Sequence, residues 1–218
     1  MQEFIEFFSN LTEPEWIMQN GGLYIVVLIV FIETGLFFGF FLPGDSLLFI
    51  AGIVIANALS PFNFPVANLL YWIVLIATAG ILGNYAGYFF GTKSDKFLLR
   101  RKDNWLFKKK FIYQAKDFYD RKGGGAIVFA RFLPIVRTFA PIVAGMVKMD
   151  LRKFSFYNIL GSFLWAGIIV SAGFLLGENE WAKENLEKII IGIGVITLSP
   201  VLIKLFFKKK NRLKAASL

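Results

Sequence analysis

Residues 125–147 read GAIVFARFLPIVRTFAPIVAGMV, and the way this stretch meets a bilayer decides the architecture of the whole chain. It is apolar and long enough to span. Yet it carries Arg131 and Arg137 and is interrupted by Pro134 and Pro141. Length alone is compatible with one kinked span or with a hairpin that dips in and returns. Proline followed by polar capping candidates favours two half-helices, with Thr138 capping the second arm and Pro141 tolerated in its first turn. The Lys/Arg distribution then decides the direction of the chain. Residues 92–124 hold eleven Lys or Arg against four Asp, and Lys148, Arg152 and Lys153 follow on the far side. Positive charge accumulates on cytoplasmic flanks. Both ends of 125–147 therefore belong on the cytoplasmic face, which predicts a re-entrant hairpin.

A second stretch has the same character. Residues 22–57 are apolar but carry Glu33 and Asp45 and are broken at Pro43-Gly44, with Asp45 or Ser46 as candidate cap of the second arm. The first twenty residues hold four Glu and no Lys or Arg, and residues 58–65 are uncharged, so this hairpin is expected to enter from the outer face. Three further runs are span-length: 66–91 and 154–177, both without a charged residue, and 189–207, where Lys204 lies close enough to the end to snorkel. The acidic segment 178–187 suits the outside, and the basic tail 208–218 the cytoplasm. Residues 1–21 and 111–121 have apolar stripes at helical spacing and read as interfacial segments, the second within the basic loop 92–124. The expectation is one membrane domain over 1–218. It is all-α, two re-entrant hairpins each followed by a transmembrane helix, with a C-terminal transmembrane helix and interfacial amphipathic helices.

Composition agrees with a membrane solvent. Apolar residues make up 56% of the 218 and charged ones 18%, below the roughly 25% of soluble domains. The net charge of +9 is accounted for by cytoplasmic loops, so no nucleic-acid partner is expected. The chain has no Cys and no His, which removes disulfides, thiolate metal sites, and the commonest general base and metal ligand. With no hydrolase serine motif and no acidic metal cluster in view, neither an enzyme nor a metal or other cofactor is expected.

The two broken stretches also resemble each other. Phe41-Leu42-Pro43 precedes Ala51-Gly52-Ile53-Val54, and Phe132-Leu133-Pro134 precedes Ala144-Gly145-Met146-Val147. Each leads to a span ending in a matching string, Ala86-Gly87-Tyr88-Phe89-Phe90-Gly91 and Ala172-Gly173-Phe174-Leu175-Leu176-Gly177. Hairpin plus span, twice and in opposite orientation, is an inverted repeat, a plan in which transporters bind substrate where broken helices meet.

Four charges lie inside the hairpins: Glu33 and Asp45 on the outer, Arg131 and Arg137 on the inner. An ionised group at a helix centre costs roughly 2.5–3.5 kcal/mol on the insertion scale, so such groups read as functional. Static pairing between hairpins, a capping role for Asp45 and snorkelling of Arg131 are the structural alternatives. In the functional reading the acids and arginines neutralise one another at the hairpin tips until an anionic headgroup replaces the acids. Arginine suits phosphate because its planar fork donates two parallel hydrogen bonds. A carboxylate that loses its arginine in an apolar setting favours its protonated form, which gives proton coupling without histidine. Glu33 is the better proton carrier, having no capping role. Asn84 and Asn158 are secondary candidates, equally suited to bonds between helices, and Trp165, Trp72, Trp105 and Trp181 read as interfacial anchors or packing.

The run Phe129-Ala130-Arg131-Phe132-Leu133-Pro134-Ile135-Val136-Arg137-Thr138-Phe139-Ala140-Pro141, continuing to Ala144-Gly145-Met146, resembles the signature of the DedA family, also called SNARE-associated or VTT-domain proteins. Glu33-Thr34, Pro43-Gly44-Asp45, Gly87-Tyr88, Phe154, Tyr157-Asn158, Gly161 and Trp165 fit the same pattern. One departure is Asn84, where many members carry Asp. The resemblance implies a multi-pass protein of the bacterial inner membrane with opposed re-entrant hairpins. It implies transport of a lipid carrier, undecaprenyl phosphate, coupled to the proton gradient. It also implies that Glu33, Asp45, Arg131 and Arg137 are the required residues. Eukaryotic relatives are thought to scramble phospholipids, so the expected function is a polyprenyl-phosphate flippase with a phospholipid scramblase or a proton-coupled small-ion or drug antiporter as alternatives. The expected partners are an anionic membrane lipid and protons, with oligomerisation left open.

Overall fold

The computed structural model describes residues 22–35, 44–57, 61–100 and 124–177, together with the isolated residues 179, 185, 188 and 192. All regular structure among them is helical: α1 (Leu23–Gly35), α2 (Gly44–Asn57), α3 (Pro65–Arg100), α4 (Gly125–Ala130), α5 (Pro134–Met146) and α6 (Leu151–Gly177). The expected interfacial segments at 1–21 and 111–121, Pro43, the third span at 189–207 apart from residue 192, and the tail 208–218 lie outside the described residues.

Length separates these helices into two kinds. At a rise of about 1.5 Å per residue, the 36 residues of α3 and the 27 of α6 exceed a hydrocarbon core of about 30 Å. The 13, 14 and 13 residues of α1, α2 and α5 reach only about 20 Å. Pro65–Lys93 and Leu151–Gly177 are long and apolar enough to cross a membrane. Val66, Leu70, Leu82, Phe90, Phe156, Ile168 and Leu175 on these two helices are exposed, an arrangement suited to lipid rather than water.

Local sequence sets the breaks. Leu133 is extended, at φ −117° and ψ 106°, as the residue before a proline prefers, and Pro134 opens α5 at its first position, where no N–H is needed. This corrects the expected cap: Thr138 is buried within α5 and Pro141 lies well inside the helix rather than in its first turn. Pro141 has no N–H to offer the carbonyl of Arg137, four residues earlier. After α5 the chain turns through Lys148, at φ 54°, and the Asp150 carboxylate accepts the Lys153 N–H at 2.9 Å, an N-cap for α6.

Packing is crosswise. The arm α2 lies on α6, and α5 lies on α3. Backbone meets backbone at both crossings. A Cβ on Gly52 would sit 2.9 Å from the Gly173 Cα, and a Cβ on Gly91 would sit 2.9 Å from the carbonyl carbon of Ile142. Gly145 faces Tyr88 and Thr92 in the same way. Small residues allow this close approach, the usual basis of helix association in lipid. Helices α1, α2, α3 and α6 share the main core, which includes Val30, Leu47, Ile50, Ile76 and Val170. Tyr88, Ile127, Ala144 and Phe154 form a smaller one.

Candidate functional site

Arg137 stands in the first turn of α5, beside the end of α1 and the start of α2. Its guanidinium is 3% exposed and divides its fork between two acids. Nη2 donates to Glu33 Oε1, and Nη1 donates to Asp45 Oδ1 at 2.5 Å. Glu33 is reached from α1 and Asp45 from the first turn of α2. Asp45 is thus held by an arginine of another helix. Glu33 is fully enclosed, and its Oε2 has no hydrogen-bond partner among the described residues. Gly44, which opens α2, makes room for it, since a Cβ there would fall on the Glu33 carboxylate.

Trp165 of α6 completes the cluster. Its indole N–H donates to Asp45 Oδ1 at 2.9 Å, and its ring centroid lies 4.9 Å from Arg137 Cζ. Reading Trp165 as an anchor or packing residue missed this contact. The available signal was chemical: a buried tryptophan in an otherwise uncharged span usually finds an acceptor for its N–H, although the Trp72 N–H in α3 has none among the described residues.

An apolar groove of about 310 Å³ leads to this cluster, lined by Asp45, Trp165, Phe49, Phe132, Ile168, Ile169 and Ala172. Phe132 and Ile168 are exposed at its rim. Asp45 is the charged group that lines it, and Arg137 lies directly behind that carboxylate.

Arg131 is elsewhere. Glu33, Asp45, Arg131 and Arg137 do not form one quartet: Glu33, Asp45 and Arg137 meet, while Arg131 is bonded to neutral groups. It ends α4 and is 1% exposed, so it does not snorkel. Its Nη2 donates to Asn158 Oδ1 at 2.7 Å and weakly to the Gly80 carbonyl at 3.4 Å. Asn84 Nδ2 donates to the same Asn158 oxygen at 2.9 Å, and Asn158 Nδ2 donates to the Ile81 carbonyl at 3.2 Å. Both asparagines therefore bond between helices. Among the described residues no three acidic, His or Cys side chains converge as a metal site would require.

A buried arginine shared by two carboxylates, set among short apolar helices and flanked by two helices long and apolar enough to cross a membrane, defines an all-helical membrane protein with a buried ion cluster. The family model for the VTT domain matches residues 42–175. Protein DedA of Escherichia coli K12 is 38% identical over 192 residues, covering 88% of this chain and 85% of that protein. An uncharacterized membrane protein of Mycobacterium leprae is 32% identical over 205 residues, covering 93% and 88%. The inner membrane protein YghB of E. coli K12 is 30% identical over 199 residues, covering 88% and 84%. No solved structure matches. The chain belongs to the DedA family of VTT-domain membrane proteins.

Proposed function

We propose that this protein carries an anionic polyprenyl phosphate, of the undecaprenyl phosphate type, across the bacterial cytoplasmic membrane, coupled to protons. In this reading 22–57 and 125–147 are re-entrant hairpins of an inverted repeat, opposed from the two faces. The crosswise glycine contacts support the repeat, because Gly52 and Gly145 occupy matching places in the two hairpins.

The observation that carries the proposal is the shared fork of Arg137. Both its partners are anions, and both can be exchanged for phosphate oxygens without leaving the guanidinium unpaired. The groove gives the headgroup a lateral route from the apolar perimeter to Asp45, while the chain stays in lipid. Phosphate on Arg137 displaces Glu33 and Asp45; Glu33, released into apolar surroundings, favours its protonated form, and loss of that proton on the other side returns the arginine to its acids.

The test is transport of a fluorescent polyprenyl phosphate in proteoliposomes with and without an imposed proton gradient. Accelerated, gradient-dependent movement is expected. Equal movement of zwitterionic phospholipids makes the protein a scramblase instead. The antiporter reading draws on one observation, that an acid rather than an arginine lines the groove. Movement of a small cation but no lipid would decide for it.

A further inference from the structure

We propose that Arg131 is a positioning residue: it anchors the break between α4 and α5 to α3 and α6, so aiming Arg137 at its two carboxylates, and it makes no contact with the transported headgroup. The inference rests on the reading of Arg137 as the headgroup's partner and divides the roles of the two arginines.

Three observations carry it. Arg131 does not line the groove. Its guanidinium is wedged between glycines of the two long helices. A Cβ on Gly80 of α3 would lie 3.3 Å from Nη1, and a Cβ on Gly161 of α6 would lie 3.1 Å from Cδ and 3.4 Å from Nε. Those spaces fit a glycine hydrogen and exclude a phosphate oxygen with its own substituents, so the two N–H faces that lack hydrogen-bond partners among the described residues are covered by backbone rather than open to a ligand. Finally, Nη2 is bonded to a neutral amide oxygen that also accepts from Asn84. Arg137 holds anions, for which another anion can exchange. Arg131 holds an amide that is tied in turn to α3 through Ile81, and no anion is displaced by leaving it.

The position in sequence gives the anchor its effect. Arg131 closes α4, Pro134 opens α5, and Arg137 follows in the first turn of α5. With Arg131 held between α3 and α6, the extended residue Leu133 and the fixed φ of Pro134 leave the start of α5 little freedom. Trp165 bridges the two arginines, with its ring centroid 5.9 Å from Arg131 Cζ and its N–H on Asp45.

The deciding variant is Asn158→Asp in the full chain. Its carboxylate keeps an acceptor where Arg131 and Asn84 already donate, and gives Arg131 an anion of its own at the loss of the bond to Ile81. A positioning role predicts a melting temperature in detergent no lower than the parent's. It also predicts an apparent KM for fluorescent polyprenyl phosphate within about twofold of the parent. If Arg131 binds headgroups, the new carboxylate competes with phosphate, and a KM raised about tenfold or more at unchanged melting temperature overturns the proposal. A lowered melting temperature also overturns it, because Arg131 is then not held through Asn158. Should the parent transport no polyprenyl phosphate, the functional reading fails, and the melting arm still decides the role of Arg131.

Discussion

Gly44 has no side chain where the Glu33 carboxylate sits: a Cβ at position 44 would fall on that carboxylate. The start of α2 therefore forms one wall of the seat that presses Glu33 against Arg137. Backbone and acid have to be read as one unit, and the glycine belongs to the site although it carries no functional group.

Gly44→Ala should therefore expel Glu33 from Arg137 and abolish most transport while the protein still inserts. Shortening the acid makes space again, so Glu33→Asp added to Gly44→Ala should recover part of the rate. Transport in proteoliposomes checks both. Full activity in the single variant would show that the seat is not needed.

Arg137→Lys keeps the charge but loses the fork that serves two acids at once. Transport should fall by about tenfold or more, since Lys does not replace Arg at a bidentate site. Arg137→Ala should be no more active and less stable, because breaking a buried ion pair costs about 3–5 kcal/mol. Transport and thermal unfolding in detergent are the measurements. Parent-like transport by the Lys variant would reduce Arg137 to a point charge.

Glu33→Gln imitates the protonated acid permanently. It should still bind polyprenyl phosphate, because Arg137 remains free to accept it, and its transport should no longer respond to an imposed proton gradient. Asp45→Asn should behave alike only if Asp45 also carries protons. A Glu33→Gln protein that follows the gradient as the parent does would return Glu33 to the role of a static partner.

Trp165→Phe keeps a ring beside Arg137 and removes the N–H donated to Asp45. The loss should be about 1 kcal/mol of stability, the scale of one hydrogen bond, with a measurable fall in transport. Trp165→Ala should be far worse, because a fully enclosed aromatic is lost, at about 3–5 kcal/mol. Thermal unfolding of the two variants side by side distinguishes the bond from the bulk.

Orientation is open to direct test because the chain has no cysteine. Single cysteines at positions 104 and 179 should label from opposite faces, the first from the cytoplasm. Labelling of both from one side would overturn the arrangement of opposed hairpins.

Sequence by itself determined what depends on short stretches of chain. Apolar runs at 66–91 and 154–177 announce membrane helices because their length matches a bilayer, and α3 and α6 contain both. The helix break at Pro134 is legible because a proline restricts its own φ and its neighbour. Burial cost alone singled out Glu33, Asp45, Arg131 and Arg137. Which of them meet was decided only by tertiary structure. Arg137 lies 104 residues from Glu33 and 92 from Asp45, and the crossing of α1, α2 and α5 brings them together. Arg131 and Arg137 are six residues apart, yet one is clasped by acids and the other by an amide between two glycines. Local sequence reports what a residue needs, a partner for a buried charge or an acceptor for an indole N–H. Only the packing of distant helices determines which group supplies it.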